Sequence, residues 1–302
     1  MEALELMEVL GERTNGDCYL GVVGPVRVGK STFIRRFMEA VVLKHISDPE
    51  EKKRATDELP QAGSGKTITT TEPKFVPANA VTLKIKEDLD VKIRLIDCVG
   101  YIIDESIGYL EDGKMRLVKT PWFNDPIPFD EAAHIGTKKV IEEHSTIGIV
   151  VTSDGTIGDF DRQKYIKAEE DIVNSLKEIG KPFVIVLNTK TPGATQSQQL
   201  ATELEEKYDC PVMLIDVENM QEKEGLELLN KALLEFPITS VALSLPTWVS
   251  NLDDSHYIKS SINQTLEQSM TEASKVKDVE KIIPTMLTNC LLYTSDAADD
   301  LI

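Results

Sequence analysis

The sequence predicts an α/β fold: a mostly parallel sheet covered on both faces, with one antiparallel edge strand and part of a second domain behind it. Three observations carry that expectation. Short apolar, β-branched runs alternate with helical patterns from Tyr19 to about Phe236, the order that sets parallel strands side by side with helices between them. The stretch VTLKIKEDLDVKIRLIDCVG breaks the alternation, because its two strands lie only a few residues apart across an EDLD turn and must pair antiparallel. Past EFPITSVALSLPTW the texture changes, and residues 255–283 become polar with a helical pattern.

In chain order, strands are expected at 18–23, 81–86, 91–97, 147–152, 182–188 and 211–215. Helices are expected at 30–44, 130–143, 162–178, 197–207 and 223–235. The first strand, CYLGVV, ends at a glycine-bounded loop, and the helix KSTFIRRFMEAVVLK opens directly behind it. That loop, GPVRVGKS, matches G-x-x-x-x-G-K-S/T, the phosphate-binding P-loop, in the strand-to-helix context that the motif requires. Its residues Gly24, Pro25, Val26, Arg27, Val28, Gly29, Lys30 and Ser31, with Thr32 behind them, are the expected nucleotide-binding set. The glycines let successive backbone N–H groups face a β-phosphate, and Lys30 brings a point charge to the β- and γ-phosphates. Ser31 is placed to ligate Mg²⁺, and the helix offers its N-terminus to the anion.

A second G-K-T, in GSGKTITTTEP at 63–73, is a decoy. A P-loop ending at Thr67 would need glycine at position 60, which is Pro60, and no apolar strand precedes it. The segment lies instead where a Ras-like core carries its first switch, in which a threonine senses the γ-phosphate and Mg²⁺. Thr70 and Thr71 are the candidates for that role, ahead of Thr69. After the hairpin, IRLIDCVG supplies D-x-x-G at the end of a buried strand. Asp97 can hold Mg²⁺ through water, and the N–H of Gly100 can approach the γ-phosphate. Strand, P-loop, helix, hairpin and then βα units is the order of Ras-like GTPase cores.

Two departures from that pattern bear on function. Tyr101 stands where Ras-like GTPases carry the glutamine that orients the attacking water. In VIVLNTKTPG, Asn188 and Lys190 occupy their places in the guanine-reading N/T-K-x-D motif, but the aspartate has become Thr191. A neutral hydroxyl cannot accept the paired hydrogen bonds of guanine N1–H and N2–H₂, so the main preference for guanine is lost and the sequence points to ATP.

Composition narrows the partners. The net charge is −18, with 33 basic against 51 acidic residues spread along the chain. That balance disfavours nucleic acid and direct adhesion to anionic lipid. The local basic group Arg27, Lys30, Arg35 and Arg36 is accounted for in part by phosphate binding. The four cysteines lack C-x-x-C pairing and fit a reducing compartment, and the four histidines lack metal-ligand spacing, so no zinc site is expected. No apolar run approaches the roughly 20 residues that span a bilayer. The N-terminal MEALELMEVLGERT carries no basic n-region or cleavage site, and a cytoplasmic protein is expected.

The blocks YLGVVGPVRVGKSTFIRRFMEAVVL, GKTITTTEPKFVP, IRLIDCVGY, TPWFNDPIPFDEAAHIGTKKVIEEHSTIGIVVTSDGTIGD and EFPITSVALSLPTWV together resemble the stage IV sporulation protein A family of endospore-forming Firmicutes. The resemblance runs from the N-terminus to about residue 288. It implies a P-loop ATPase domain of the translation-factor GTPase type over 1–237 and the incomplete start of a middle domain over 238–289. The tail CLLYTSDAADDLI, 290–302, resembles translated adapter sequence and is read as non-native. The family's Walker A residues fall on Gly24 to Ser31, its sensor threonines on Thr70 and Thr71, and its Walker B aspartate on Asp97. The resemblance further implies an ATP- and Mg²⁺-dependent protein that polymerises with itself into the basement layer of the spore coat, on the mother-cell side of the forespore. A small amphipathic membrane-anchoring peptide would hold it there, so its membrane contact is indirect, and other spore coat proteins would be recruited onto it. A regulatory GTPase-type switch and a nucleotide-binding scaffold without turnover stay open as other readings. Two further stretches keep open roles. VTSDGTIGDFDR borders the nucleotide, makes an assembly contact or is an ordinary polar loop, and YIKSSINQTLEQSM is an interaction helix or a packed one.

Overall fold

The computed structural model describes residues 3–60, 73–86, 89–103, 110–111, 114–115, 117–118, 125–158, 160–239, 245, 247–253, 255–271 and 273–279. The chain divides into two compact units, Met1–Ala232 and Leu233–Ile302. In the first, six strands form one sheet: β1 (Asp17–Val23), β2 (Lys74–Lys86), β3 (Leu89–Asp97), β4 (Ile147–Ser153), β5 (Phe183–Asn188) and β6 (Val212–Ile215). Their spatial order is β6-β5-β4-β1-β3-β2. All neighbours run parallel except β2, which pairs antiparallel with β3 at the edge. The expected sheet, with its single antiparallel edge strand, is therefore the observed one.

Burial explains why the central strands read as continuous apolar runs. Every residue of β4 and β5 is buried, as a parallel sheet packed on both faces requires. The helices that begin in the first unit are α1 (Ala3–Thr14), α2 (Lys30–Phe37), α3 (Pro49–Asp57), α4 (Phe129–Lys139), α5 (Arg162–Ile179), α6 (Thr195–Tyr208) and α7 (Glu222–Leu234). α2 turns Phe33, Ile34 and Phe37 inward, all without solvent exposure. Each such side chain stabilises the fold by about 1.5–3 kcal/mol relative to an exposed one.

The register brings the C-terminal ends of four strands together. Val22 of β1 lies beside Asp97 of β3, Val23 beside Val150 of β4, and Ser153 of β4 beside Asn188 of β5. Loops leaving this edge are where ligands bind open α/β sheets, outside the carboxyl ends of strands whose connections depart to opposite sides.

Several elements differ from the expectation. β2 begins at Lys74 rather than 81, because Phe75 and Val76 already pair with Ile96 and Leu95. Pro77-Ala-Asn then interrupts its alternation, with a shift of register between Val76 and Val81. β3 begins at Leu89, so residues 89 and 90 of the expected EDLD turn belong to the strand. The helices expected at 30–44 and 130–143 finish as π-helical turns, Met38–Val42 and Val140–His144. α1 and α3 were not foreseen. α1 buries Leu6 and Leu10. α3 follows a start signal in the sequence, Asp48-Pro49-Glu50-Glu51, in which the Asp48 carboxylate accepts the Glu50 N–H at 3.0 Å. Two-residue ladders pair Leu110–Glu111 with Lys114–Met115 and Leu117–Val118 with Ile127–Pro128. Cys18, Cys98 and Cys210 are buried and form no disulfide among the described residues.

The second unit contains α8 (Thr247–Ser250) and α9 (Tyr257–Met270). Its anchor is Glu235, 3% exposed, whose carboxylate accepts from Lys275 Nζ at 2.6 Å and lies 2.9 Å from Lys277 Nζ. Among the described residues no helix is long and apolar enough to cross a membrane.

Candidate functional site: a phosphate cradle and a base-side loop

The P-loop leaves β1 at Val23 and ends where α2 opens at Lys30. Gly29 caps α2 at φ 94°, and a Cβ there would stand 2.6 Å from Asn188 Nδ2, so both conformation and crowding require glycine. Asn188 in turn donates to the Val28 carbonyl at 2.9 Å and accepts the Val217 N–H at 3.2 Å. Both polar ends of this expected nucleotide contact are thus used to fasten the P-loop to β5 and to the turn after β6. Lys30 is buried, and its ammonium donates to the carbonyls of Pro25 at 2.7 Å and Gly24 at 3.2 Å. Burial pulls its pKa down to about 8, against the opposing pull of Asp97 and Cys98. A polyphosphate is a stronger, charge-assisted partner for that ammonium than two carbonyls are.

Asp97, at the end of β3 and 4% exposed, accepts the Ser31 hydroxyl at 2.7 Å. Burial holds its carboxyl above the usual range, with Ser31 and Lys30 acting in the other direction. These two hard oxygen donors fit Mg²⁺, an ion that takes one or two protein oxygens and completes its shell with phosphate and water. Among the described residues no group of three His, Cys, Asp or Glu side chains could hold a metal alone, so Ser31 and Asp97 would share the ion with a phosphate chain. Thr70 and Thr71, the other expected metal and catalytic residues, lie outside the described residues.

The D-x-x-G segment is stapled to the P-loop. Tyr101 N–H donates to the Gly24 carbonyl at 3.2 Å, and Val26 N–H donates to the Tyr101 carbonyl at 2.9 Å. Between them, a Cβ on Gly100 would lie 2.7 Å from both Lys30 Nζ and Val26 Cγ1. Only glycine lets this backbone close on the cradle. The Tyr101 side chain, by contrast, is 3% exposed and packs edge-on against His134, with ring centroids 4.3 Å apart. Burial pushes its hydroxyl up to about 12, opposed by a hydrogen bond with Ser175. It lines a cavity of about 270 Å³ with Ile103, Ala133 of α4, and Lys167 and Asp171 of α5. Tyr101 is therefore packed among helices and is unavailable to orient a water.

The base-side loop, so named for the base it is expected to face, follows β5. Thr189 is fully buried and accepts the Thr191 N–H at 3.1 Å, and Lys190 N–H donates to the Thr156 hydroxyl at 3.0 Å. The Lys190 side chain is exposed. Thr156 belongs to the loop after β4, the stretch whose role the sequence leaves open, and the structure joins it to the base-side loop. Its hydroxyl donates to Asp154 at 2.6 Å, and the Ser197 hydroxyl donates to the other Asp154 oxygen at 3.1 Å. Burial would raise the Asp154 carboxyl, but hydrogen bonds from Thr156, Thr189 and Ser197 outweigh it and hold the group below its ordinary range. Behind this loop, Glu169 is fully buried and accepts both Arg162 Nη groups at 2.7 Å, the Thr152 hydroxyl at 2.6 Å and the Tyr208 hydroxyl at 3.0 Å. Sequence reasoning missed Asp154, Arg162, Glu169 and Ser197 individually. One signal was present: Glu169 sits in the buried stripe Tyr165, Ala168, Ile172, Val173 and Leu176 of α5, where a carboxylate needs partners.

Comparison with known proteins places the chain. The family described as "Stage IV sporulation protein A, ATPase domain" matches residues 1–237, and "Stage IV sporulation protein A, middle domain" matches residues 238–296. Stage IV sporulation protein A of Bacillus subtilis (strain 168) is 48% identical over 283 residues, which cover 94% of this chain and 58% of that protein. The protein of the same name from Clostridioides difficile (strain 630) is 50% identical over 278 residues, covering 92% of this chain and 57% of that protein. The Bacillus anthracis relative is 47% identical, with coverage of 94% and 58%. The chain thus spans just under three fifths of the length of these relatives.

Proposed function

This chain belongs to the stage IV sporulation protein A family, and on that premise we propose that it is an Mg²⁺-dependent ATPase whose hydrolysis drives self-assembly. The assembled form would be the basement layer of the spore coat, on the cytoplasmic, mother-cell face of the forespore. A small amphipathic peptide would tether it to the membrane, and further coat proteins would bind the polymer. The observation that carries the proposal is the meeting, at the sheet's C-terminal edge, of Asp97 with the Ser31 hydroxyl and of Gly100 with the Lys30 ammonium. Thr191 in place of the guanine-reading carboxylate is what favours ATP over GTP.

In phosphoryl transfer the protein's work is positioning and charge stabilisation. The P-loop N–H groups and Lys30 would hold the β- and γ-phosphates. Ser31 and Asp97 would hold Mg²⁺, which supplies neutralising charge to the phosphate oxygens. The Gly100 N–H would meet the γ-phosphate, and Thr70 and Thr71 would sense it. Tyr101, packed against His134 and away from the cradle, favours a second reading, a scaffold that binds nucleotide without significant turnover. Phosphate release with Mg²⁺ and either ATP or GTP, followed across protein concentrations beside polymer formation, separates the two. Release from ATP that rises with concentration and disappears in Lys30→Ala supports the assembly-coupled ATPase. Saturable binding with no release supports the scaffold, and tighter GTP binding with concentration-independent turnover supports a switch GTPase.

A further inference from the structure

We propose that Arg27 is a catalytic arginine supplied from within the P-loop itself, its guanidinium stabilising the charge that develops on the triphosphate as the γ-phosphoryl group leaves. This rests on the reading above that the loop binds and hydrolyses ATP, and it names a charge-stabilising group for a site whose D-x-x-G segment turns Tyr101 away.

Three independent observations converge on this residue. First, Arg27 adopts φ 69°, a left-handed conformation that only glycine takes without strain, in a loop that uses glycine freely at Gly24 and Gly29. Glycine at 27 would be the unstrained choice. Strain of this kind persists where the surrounding structure over-determines it, and such residues cluster at active sites and ligand clamps. Second, Val26 and Val28 on either side are buried, while Arg27 is half-exposed and has no hydrogen-bond or ion-pair partner among the described residues. Arg13 is likewise unpaired among the described residues, but it is exposed and lies outside the P-loop. Arg35, Arg36, Arg54 and Arg162 each pair with a glutamate. A cation left without an anion beside a phosphate cradle is suited to one that arrives with the substrate. Third, Tyr101 is packed against His134, so the D-x-x-G segment offers no polar side chain from its next position to the reacting phosphate. Placement supports the assignment: Val26, the residue before Arg27, carries the Cα that lies 2.9 Å from the Gly100 Cβ position, where Lys30 Nζ also converges. The carbonyl of Arg27 lies 3.2 Å from where a Cβ on Gly158, in the loop after β4, would stand, so only a glycine there leaves this carbonyl its place.

The chemistry asks little of the group. Water attacks the γ-phosphorus, the bond from that phosphorus to the β–γ bridging oxygen breaks, ADP leaves, and the water's proton departs with inorganic phosphate or solvent. The guanidinium exchanges no atom. It neutralises charge on the bridging and γ-phosphoryl oxygens, a contribution worth about 10³-fold or more in rate where an arginine plays this part.

The test compares Arg27→Gly with the parent chain in three measurements: phosphate release from Mg²⁺–ATP, affinity for ADP with and without aluminium fluoride, and thermal unfolding without nucleotide. Glycine suits the backbone, so the variant is expected to unfold at a higher temperature and to bind ADP as the parent does. Its hydrolysis should fall about 10³-fold, and aluminium fluoride should no longer tighten ADP binding. Millimolar guanidinium ion should restore part of the rate to Arg27→Ala. Mixing Arg27→Gly with Lys30→Ala should restore nothing, because both residues serve the same chain's site, and recovery on mixing would overturn that assignment. Parental turnover and aluminium fluoride tightening in Arg27→Gly would overturn the inference while leaving the ATPase reading standing. A parent chain that neither turns over ATP nor tightens on ADP with aluminium fluoride would overturn both.

Discussion

The phosphate side and the base side of the proposed nucleotide site are built on opposite principles. On the phosphate side, charges are buried and poised: Lys30 rests on its own loop's carbonyls, and Asp97 holds Ser31 at 2.7 Å. Their partners there are weaker than a triphosphate and Mg²⁺ would be. On the base side the polar groups already satisfy one another. Asn188 ties down Val28, and Asp154, Thr156, Thr189 and Ser197 close a hydrogen-bonded set around the loop. The difference teaches where specificity can reside. A phosphate cradle recognises any nucleoside triphosphate, whereas a base-side loop whose Asp154 carboxylate is already taken by hydroxyls, and which carries Thr191 at the guanine-reading position, would give guanine no privileged partner.

The experiments that break this contrast run from drastic to slight. Lys30→Ala removes the cradle's buried cation and should cut phosphate release by about 10²–10³-fold, the cost of losing one preorganised electrostatic group. Release near the parental rate would mean that another group carries the charge. Gly100→Ala pushes a methyl group to within 2.7 Å of Lys30 Nζ, and a displaced ammonium should cost up to about 10²-fold in kcat. Because the substitution leaves every charge in place, an unchanged kcat would show that Gly100 does not set the cradle's geometry. Glu169→Ala tests the base side's foundation. It strands the Arg162 guanidinium, whose side chain is 17% exposed, and should lower the unfolding free energy by about 3 kcal/mol in a denaturant titration.

Two smaller effects sharpen the comparison. Thr191→Asp restores the guanine acceptor and should shift the ratio of GTP to ATP affinity by about tenfold, roughly 1.4 kcal/mol, in a competition assay. An unmoved ratio would place base reading elsewhere. Below about pH 8.5, before the unfolded chain's thiols ionise and the buried Cys18 and Cys98 begin to oppose it, the pH dependence reports chiefly on Lys30. Its folded pKa, about 8, lies below the ordinary 10.5. Its contribution to the nucleotide-free fold is therefore present above 10.5 and is lost as pH falls through about 8, because the unfolded chain binds the extra proton in that window. Nucleotide binding needs the charged ammonium, so ATP affinity should fall as pH rises past about 8 while the empty fold gains stability. Titrations of binding and of unfolding between pH 7 and about 8.5, below the ordinary thiol range, should move in opposite directions, and parallel movement would rule out Lys30 as the titrating group.

How far these features could be read in advance depended on whether a residue's partners were local. The strands and the P-loop are written in short apolar runs and glycine spacing, and the short EDLD connection gave the antiparallel pair. The order across the sheet depends on non-local pairing that no run reveals. Asp97 was legible as a strand-end aspartate because the next three residues complete D-x-x-G. The start of β2 was hidden, since Pro77 breaks its alternation while cross-strand partners in β3 keep Phe75 and Val76 in register. Tyr101 was visible as a departure, but its packing against His134, 33 residues on, was not. Asn188 read as a base contact by its motif position, yet its amide is taken by Val28, 160 residues away, a partner that no spacing rule reveals. Arg27 stood inside a recognised motif, and only the backbone's left-handed turn set it apart from its neighbours.

The most direct test of the account is a pair of calorimetric titrations, Mg²⁺–ATP and Mg²⁺–GTP into the same preparation at one pH near neutrality. The account expects saturable ATP binding with a Kd no weaker than that for GTP, and loss of both in Lys30→Ala. GTP binding tighter than ATP by about 10²-fold, a difference of some 2.7 kcal/mol, would mean that guanine is read despite Thr191, and would contradict it.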